Sequence, residues 1–294
     1  MKITQNPILA MLLLSLATPC VYATNSVEAS SSKEVITEVA TPVQQENKSE
    51  QLGKKLLETL ISAAQKNIQL NCANCPCCPC CPTKNGASCT QPDAEATKKL
   101  ETEKEEDIKK ALELIKQGAD VNYQDQNQAN ALNIATGLNN IELIKALLEK
   151  KADPNAGEII SPLMTNTMMR GDIEIAKLLI DNGADVNFHF NKNMFTPLYY
   201  AMFFNNFDLA TLLIQNGADV NAEITIQMPG QAEMKTNILL GAIELQNFDM
   251  IEFLLENKTN PNVIAANGKT ALANAKELGH KRISDLLIKY GATE

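Results

Sequence analysis

The residues best able to do chemistry in this chain are seven cysteines that lie close together. A C-x-x-C pair is followed by doublets that alternate with proline, and the seven are Cys72, Cys75, Cys77, Cys78, Cys80, Cys81 and Cys89. Thiolates at these spacings bind soft metals, and in an oxidising compartment the same residues form disulfides. The pattern favours disulfides, with soft-metal binding and no specific role as the alternatives. Because seven is odd, it also predicts self-association through one thiol. No strand–helix pattern surrounds Cys72 and Cys75, which argues against a redox enzyme.

Little else in the sequence could support catalysis or nucleic-acid binding. The two histidines, His189 and His280, are too few for a histidine zinc site or a Ser/His/Asp relay. The formal charge is −9 and the two arginines are Arg170 and Arg282, so the chain lacks the basic surface of nucleic-acid binders. We therefore predict a non-enzyme with no catalytic residues, no cofactor, no resident metal and no nucleic-acid partner.

Residues 1–23 have the features of a secretion signal. Lys2 precedes an apolar core, and Val21-Tyr22-Ala23 offers small residues at a cleavage site. The apolar core is too short to span a membrane as a helix, and no later segment is longer. The sequence predicts an exported protein, periplasmic or secreted, with no membrane span after signal removal; the alternative is an N-terminal anchor that is never cut.

Three segments of different composition follow the signal. Residues 24–48 are rich in Ser, Thr, Glu and Gln without a sustained period, which predicts a disordered linker. Residues 49–71 carry leucines at three- to four-residue spacing, which predicts an amphipathic helix that packs on its own chain or self-associates. Residues 72–92 form a cysteine-rich segment in which prolines prevent helix continuation.

A five-residue motif, Gly-Ala-Asp-Val-Asn in its clearest form, recurs in the second half of the chain. Its copies begin at Gly118, Lys151, Gly183, Gly217 and Lys258, and a shortened copy begins at Gly291. Successive copies are 33, 32, 34, 41 and 33 residues apart, and an apolar helix pattern precedes each one. Two short helices cannot bury their apolar faces alone, so this period predicts units that stack on their neighbours.

Each unit carries signals for the start and the end of its helices. Ser161-Pro-Leu, Thr196-Pro-Leu and Thr270-Ala-Leu predict first helices with a hydroxyl N-cap, two of them with proline at the first helical position. The glycine after the second helix can adopt the left-handed conformation that ends a helix. The Asp and Asn that follow favour a tight turn into the next unit.

These motifs resemble the ankyrin repeat family. Thr196-Pro-Leu198 with Gly217-Ala-Asp-Val-Asn221, and Gly268-Lys-Thr-Ala-Leu272 with Leu278-Gly-His280, carry the resemblance. It implies an all-α ankyrin-repeat solenoid over residues 93–294, with five to six repeats of stacked helix-turn-helix units and loop or hairpin tips. It also implies that this span binds proteins through loop tips and the exposed side of the first helices. Because the repeats carry their own core and no cysteine, we predict that residues 93–294 fold without the N-terminal region.

The chain departs from the family pattern at several positions. The family's histidine after Thr-Pro-Leu is replaced by Asn133, Tyr199 and Ala273, so its usual hydrogen bond is expected to be missing. Lys151 and Lys258 stand where glycine ends the second helix, which implies local strain.

Aromatic residues concentrate in one repeat. Eight of the thirteen aromatic residues fall between residues 188 and 207. By alignment to the family, Phe195, Phe203 and Phe204 fall at solvent-facing positions, which predicts anchors of a protein-binding surface flanked by the long loop around Met228. The alternative is local thickening of the core.

An apolar ladder supports this surface. One position near the end of each first helix is apolar in successive repeats: Leu138, Met169, Phe204, Leu245 and Leu278. The alternative is that these residues pack between the two helices of each unit and hold them together.

The sequence therefore predicts an exported, non-catalytic protein-binding scaffold with a protein partner. The alternative is a thiol- or soft-metal-handling protein that uses the cysteine cluster and has the ankyrin stack as its adaptor.

Overall fold

The computed structural model describes residues 48–73, 94–157, 160–169, 171–189, 195–226 and 234–293. Within these ranges the chain forms twelve helices and one two-stranded sheet. In chain order they are α1 Lys48–Ala73, α2 Ala94–Lys116, α3 Ala131–Gly137, α4 Ile141–Glu149, α5 Pro162–Met169, α6 Ile173–Asp181, α7 Pro197–Phe203, α8 Phe207–Gln215, β1 Glu223–Ile226, β2 Met234–Asn237, α9 Ile238–Glu244, α10 Phe248–Glu256, α11 Ala271–Glu277 and α12 Lys281–Lys289. The chain divides into two compact units, Met1–Gly157 and Glu158–Glu294.

The first unit begins with an antiparallel pair of long helices, α1 and α2. Near the end of α1, the Lys66 ammonium lies 2.6 Å from the Asp107 carboxylate on α2. At the opposite end, the Ser49 hydroxyl donates to the Gly118 carbonyl at 2.9 Å. The apolar stripe predicted for residues 49–71 faces inward, because Leu56 and Leu60 on α1 have no exposed surface.

This helix pair takes the place of a first repeat. The helix α1 packs on α3 as well as on α2, and α2 packs on α4, the pairing expected between the helices of neighbouring repeats. The domain boundary at residue 93 stays a prediction, and the packing of α1 on α3 adds an apolar face from outside that boundary to the core of the first unit. The cysteine-rich segment joins α1 to α2. The side chain of Cys72, in the last turn of α1, and the six cysteines that follow lie outside the described part of the structure.

The remaining helices form pairs of one short first helix and one nine-residue second helix. In the second unit, α5 packs on α7 and α9 on α11, while α6 packs on α8 and α10 on α12. Leucine, isoleucine and alanine dominate the core: Leu179, Leu213 and Leu254, at the same place in three second helices, have no exposed surface. The aliphatic core is thus built by stacking equivalent helices.

The extra residues after Asn221 lengthen the tip between two repeats. Strands β1 and β2 pair antiparallel, with Glu223 opposite Asn237 and Ile226 opposite Met234. Ile224 points inward and is 1% exposed. Elsewhere in the described ranges, the tips are tighter turns closed by the single bridges Gln124–Asn130 and Ile264–Thr270. Met228, the expected flank of the binding surface, lies outside the described residues.

None of the described helices combines the length and the apolar character needed to cross a membrane.

Candidate functional site

Side-chain caps fix where each first helix begins. The Thr196 hydroxyl accepts from the Tyr199 N–H at 3.2 Å, and the Ser161 and Thr270 hydroxyls cap α5 and α11 in the same way. These three N-caps confirm the sequence prediction. The second helices also have caps, which the sequence motifs did not reveal: the side chains of Asn140, Asp172, Asn206 and Asn247.

The asparagine that ends the repeat motif links neighbouring repeats at several junctions. The Asn187 amide donates to the Gly217 carbonyl at 2.9 Å, and its oxygen accepts from the Asp219 N–H at 2.8 Å. Equivalent pairs of bonds join Asn122 to Lys151 and Asp153, and Asn262 to Gly291 and Thr293. Within each unit, these bonds hold neighbouring tips in a fixed register.

Two departures from the repeat pattern have structural consequences. Lys151 and Lys258 both have φ of 67°, the left-handed region, so the strain predicted there is confirmed. The Asn133 amide, by contrast, donates to the Ala156 carbonyl at 3.4 Å. Asn133 thus makes a hydrogen bond of its own to the next tip, while the absence of the family histidine's bond stays a prediction.

Phe195 belongs to the core. Its side chain is 1% exposed, and its ring centroid lies 4.7 Å from that of Tyr199 and 5.5 Å from that of Tyr200. The prediction that Phe195 is a solvent-facing anchor is wrong, because the residue before the N-cap folds back onto the first turn of α7. Tyr199 in turn lies against α9, where a Cβ added at Gly241 would be 3.4 Å from its hydroxyl oxygen. At this residue the core-thickening alternative is correct.

Phe203 and Phe204 continue the aromatic cluster to the surface. The ring of Phe204 stacks on that of Tyr200 with centroids 6.4 Å apart, and Phe203 meets Phe204 edge-on at 5.3 Å. Phe204 is 41% exposed and Phe203 is half-buried. The buried tyrosine therefore holds an exposed ring in one orientation.

The apolar ladder is only partly exposed. Met169, Phe204 and Leu278 are 43%, 41% and 61% exposed, whereas Leu138 and Leu245 are half-buried. Each lies at the turn between the two helices of its repeat. The structure places Leu138, Phe204, Leu245 and Leu278 directly after their seven-residue first helices, whereas Met169 is the last residue of the longer α5. Their role in binding stays a prediction.

Comparison with known proteins identifies the repeat. Residues 158–224 match a family model that is described as ankyrin repeats (3 copies). A crystal structure of an ankyrin repeat domain from Acinetobacter baumannii AYE is 28% identical, covers 64% of this chain and 95% of its own, and superposes with a TM-score of 0.53. The chain contains ankyrin repeats.

Two viral relatives carry the same repeats. The ankyrin repeat protein L86 of Acanthamoeba polyphaga mimivirus is 29% identical over 173 residues, which are 53% of this chain and 24% of that protein. The ankyrin repeat protein FPV115 of Fowlpox virus (strain NVSL) is 34% identical over 100 residues, which are 34% of this chain and 17% of that protein. The chain therefore spans under a quarter of either relative. Ankyrin repeats generally mediate protein–protein interaction.

A second set of apolar residues lies next to the apolar ladder. The sequence analysis did not find it. The first residue of four second helices is large and apolar, and the set is Ile141, Ile173, Phe207 and Phe248. Phe207 packs on Phe253 with ring centroids 5.2 Å apart, and the Arg282 guanidinium lies 3.5 Å from the Phe248 ring centroid. The signal that could have revealed them is a capping Asn or Asp followed directly by a large apolar residue.

The phenol of Tyr199, in the core next to Phe195, has a strongly shifted pKa. Burial raises the pKa of the Tyr199 phenol, and the Glu244 carboxylate raises it further, so Tyr199 stays neutral. Among the described residues, no three His, Cys, Asp or Glu side chains are grouped so as to hold a metal ion.

Proposed function

We propose that this protein is an exported, non-catalytic scaffold that binds a partner protein through the turns between the paired helices of its second unit. Phe204 is the central anchor. Phe203 lies beside it, and Met169 and Leu278 belong to the apolar ladder in other repeats. The observation that carries the proposal is that Phe204 is 41% exposed while its ring stacks on the buried Tyr200. An aromatic ring held in place before binding loses little side-chain entropy on association, which favours a binding hot spot.

The repeat architecture supports an extended surface around Phe204. Met169 ends α5, which packs directly on α7, and Leu278 follows α11, which packs on α9. Asn205 and Asn247, one residue beyond Phe204 and two beyond Leu245, bond to each other at 2.7 Å and join the turns of neighbouring repeats. A partner that lies across these turns would meet one apolar side chain per repeat.

The test is a pull-down with the full chain as bait, followed by affinity measurement with the recovered partner. Phe204→Ala should weaken binding by about 1–3 kcal/mol, roughly tenfold or more in Kd. Ile288→Ala is the matched control, because Ile288 is 50% exposed but lies outside the ladder. Unchanged affinity for Phe204→Ala at an equal folded fraction would disprove the proposed surface.

Export is part of the proposal and rests on residues 1–23. The support is the short apolar core between Lys2 and Val21-Tyr22-Ala23. N-terminal sequencing of protein recovered from the periplasm or the medium should begin at Thr24. Full-length protein retained in the membrane fraction would favour the uncut anchor.

The cysteine count favours one second candidate function, handling of thiols or soft metals, with the ankyrin repeats as adaptor. Seven cysteines within 18 residues is the observation behind it. Metal analysis and free-thiol counting on the exported full chain separate the two functions. Copper or zinc bound at stoichiometric level would support this second function, and fully oxidised, metal-free cysteines would reject it.

A further inference from the structure

The segment around Phe204 is strongly acidic. Residues 193–257 contain eight Asp or Glu residues and one basic residue, Lys235, which gives a net charge of −7. The whole chain has a charge of −9 and 26 basic residues, so most of its excess negative charge belongs to this segment. Lys235 lies on β2 at the hairpin tip, where its ammonium is 3.5 Å from the Glu223 carboxylate on β1. The cation of this segment is therefore paired at the tip.

Second helices begin with an apolar residue followed by a charged one. In four repeats the charged residue is an exposed carboxylate, and the pairs are Ile141-Glu142, Ile173-Glu174, Phe207-Asp208 and Phe248-Asp249. In the last repeat, α12 begins with Lys281-Arg282, so a guanidinium stands where the other helices have a carboxylate. The contact that Arg282 makes therefore shows which group fits against a ring at this place.

Arg282 lies on an aromatic ring of the preceding repeat. Its Cζ is 3.5 Å from the ring centroid of Phe248, a cation–π contact. One repeat earlier, Asp249 occupies the place at the start of α10 that Arg282 occupies at the start of α12. Among the described residues, no cation lies on the ring of Phe204 in this way. The chain thus supplies an arginine to one ring of this series and carboxylates to the repeats before it.

One hydrogen bond joins the exposed ring to carboxylates of two repeats. The Asn247 amide donates to the Asn205 side-chain oxygen at 2.7 Å. Asn205 directly follows Phe204 and lies three residues before Asp208, and Asn247 lies two residues before Asp249. The bond holds the two turns together, so Phe204 and both carboxylates belong to one surface.

The ring of Phe204 is held by its neighbours but remains accessible. Tyr200 stacks on it and Phe203 meets it edge-on, yet 41% of the side chain is exposed. The face of an aromatic ring attracts cations, and arginine has a planar guanidinium that stacks on rings and pairs with carboxylates. An exposed ring with exposed carboxylates close by offers both interactions to the same guanidinium.

We propose that the Phe204 surface binds a segment of a partner protein in which arginine is flanked by apolar residues. The guanidinium stacks on Phe204 and pairs with Asp208 and Asp249. The apolar neighbours of the arginine contact Phe203 and Leu245. This inference rests on the proposed function, because it names the chemistry of the partner at the same surface.

A second copy of the chain is a poorer occupant of this surface. Its charge of −9 repels an acidic segment. The chain has two arginines; Arg282 already lies on Phe248, and Arg170 lies outside the described residues. The required arginine is therefore expected from a different protein.

The first test uses three short synthetic peptides that differ only at one central position between leucines. The central residue is arginine, lysine or citrulline, the neutral isostere of arginine. Fluorescence anisotropy with the full chain should show citrulline binding about tenfold more weakly than arginine, and lysine about threefold more weakly. The advantage over citrulline should fall as salt is added. Equal affinity of the arginine peptide and either of the others, or no binding of the arginine peptide, would overturn the inference.

Variants locate the bound arginine. Asp208→Asn/Asp249→Asn should weaken the arginine peptide about tenfold and leave the citrulline peptide unchanged, a difference that loss of folding cannot produce. Phe204→Leu keeps an apolar side chain but removes the ring, so it should abolish the preference for arginine over lysine.

Glu142→Gln is the matched control, because it neutralises an exposed carboxylate at the same place in a helix of the first unit. It should change neither affinity. A loss as large as that of the double aspartate variant would show attraction by net charge alone and would contradict the assignment.

Failure of this inference and failure of the proposed function give different results. If Phe204→Ala weakens the recovered partner but the three peptides bind alike, the surface binds a partner of another chemistry and the arginine assignment is wrong. If Phe204→Ala leaves the affinity of the partner unchanged, the proposed function fails and this inference fails with it. A dimer in light scattering that Phe204→Ser dissociates would make the surface a contact between copies and would also overturn the inference.

Discussion

Lys258 ends α10 in a backbone conformation that glycine adopts at lower cost. Its φ is 67°, and the equivalent residues Gly183 and Gly217 have φ of 91° and 90°. Removing the Cβ relieves the left-handed strain, so we expect Lys258→Gly to stabilise the second unit by about 0.5–1 kcal/mol in urea unfolding. Lys177→Gly, at an exposed position inside α6, is the control and should destabilise by about 1 kcal/mol. Destabilisation by both variants would show that the strain at Lys258 is negligible.

Thr259 places a hydroxyl where the other repeats have a methyl group. The residue is 3% exposed, and its Oγ1 has no hydrogen-bond partner among the described residues. The equivalent residue is alanine in every other copy of the motif. A buried, unsatisfied hydroxyl costs stability, so we expect Thr259→Ala to stabilise by about 1 kcal/mol. Thr196→Ala removes an N-cap and should destabilise by about 1 kcal/mol in the same urea titration. A loss of stability for Thr259→Ala would contradict the assignment.

At the scale of one element, α7 carries both a core aromatic face and an exposed one. Phe195, which directly precedes the Thr196 cap, is 1% exposed, and Phe204, which directly follows the helix, is 41% exposed. Phe195→Ala should destabilise by about 3–5 kcal/mol, because it leaves a cavity against Tyr199 and Tyr200. Phe204→Ala should change the free energy of unfolding by about 0.5 kcal/mol or less. Urea unfolding of the two variants checks the assignment, and equal losses would contradict it.

The helix α1 provides part of the core of the first unit. Leu56, Leu57 and Leu60 are 0–3% exposed, and α1 packs on both α2 and α3. A chain that begins at Ala94 exposes the apolar faces of these two helices. We expect it to lose the cooperative unfolding of the first unit, while a chain that begins at Lys48 keeps it. Circular dichroism during urea titration distinguishes the two chains. Identical unfolding curves would show that α1 is dispensable.

A single replacement tests α1 without truncation. Leu56→Ala should destabilise by about 2–5 kcal/mol, because the fully buried side chain leaves a cavity between helices. Leu52→Ala, at a half-buried position one turn earlier, is the control and should cost less.

At the scale of the whole molecule, seven of the eight cysteines lie between Cys72, in the last turn of α1, and Cys89, and the eighth is Cys20 in the predicted signal. The six aligned repeat motifs contain none. Seven thiols cannot all pair within one chain. We expect exported full chain to run as a covalent dimer or larger species on non-reducing gels and as a monomer after reduction. Chain produced in a reducing cytosol is the control. A monomer with one free thiol after export would contradict this expectation.

The sequence located the repeats because their signals are local. The hydroxyl N-caps, the left-handed residues at Lys151 and Lys258 and the repeated asparagine all act within a few residues of their own position. Such signals depend on backbone geometry that is the same in every repeat, so the five-residue motif was sufficient to align them. The spacing predicted stacked helical units, and the resemblance to the ankyrin repeat family implied the all-α solenoid.

What the tertiary structure decided was which apolar residues are covered. Phe195 and Phe204 are the same residue type, nine positions apart around one helix, and their burial depends on the packing of Tyr199 and Tyr200. Likewise, residues 49–71 displayed an apolar stripe in the sequence, but only the packing of α1 on α2 and α3 showed its partner. Burial is set by contacts between residues distant in sequence. The periodicity of one segment indicates that a face must be buried, but it does not indicate which element covers that face.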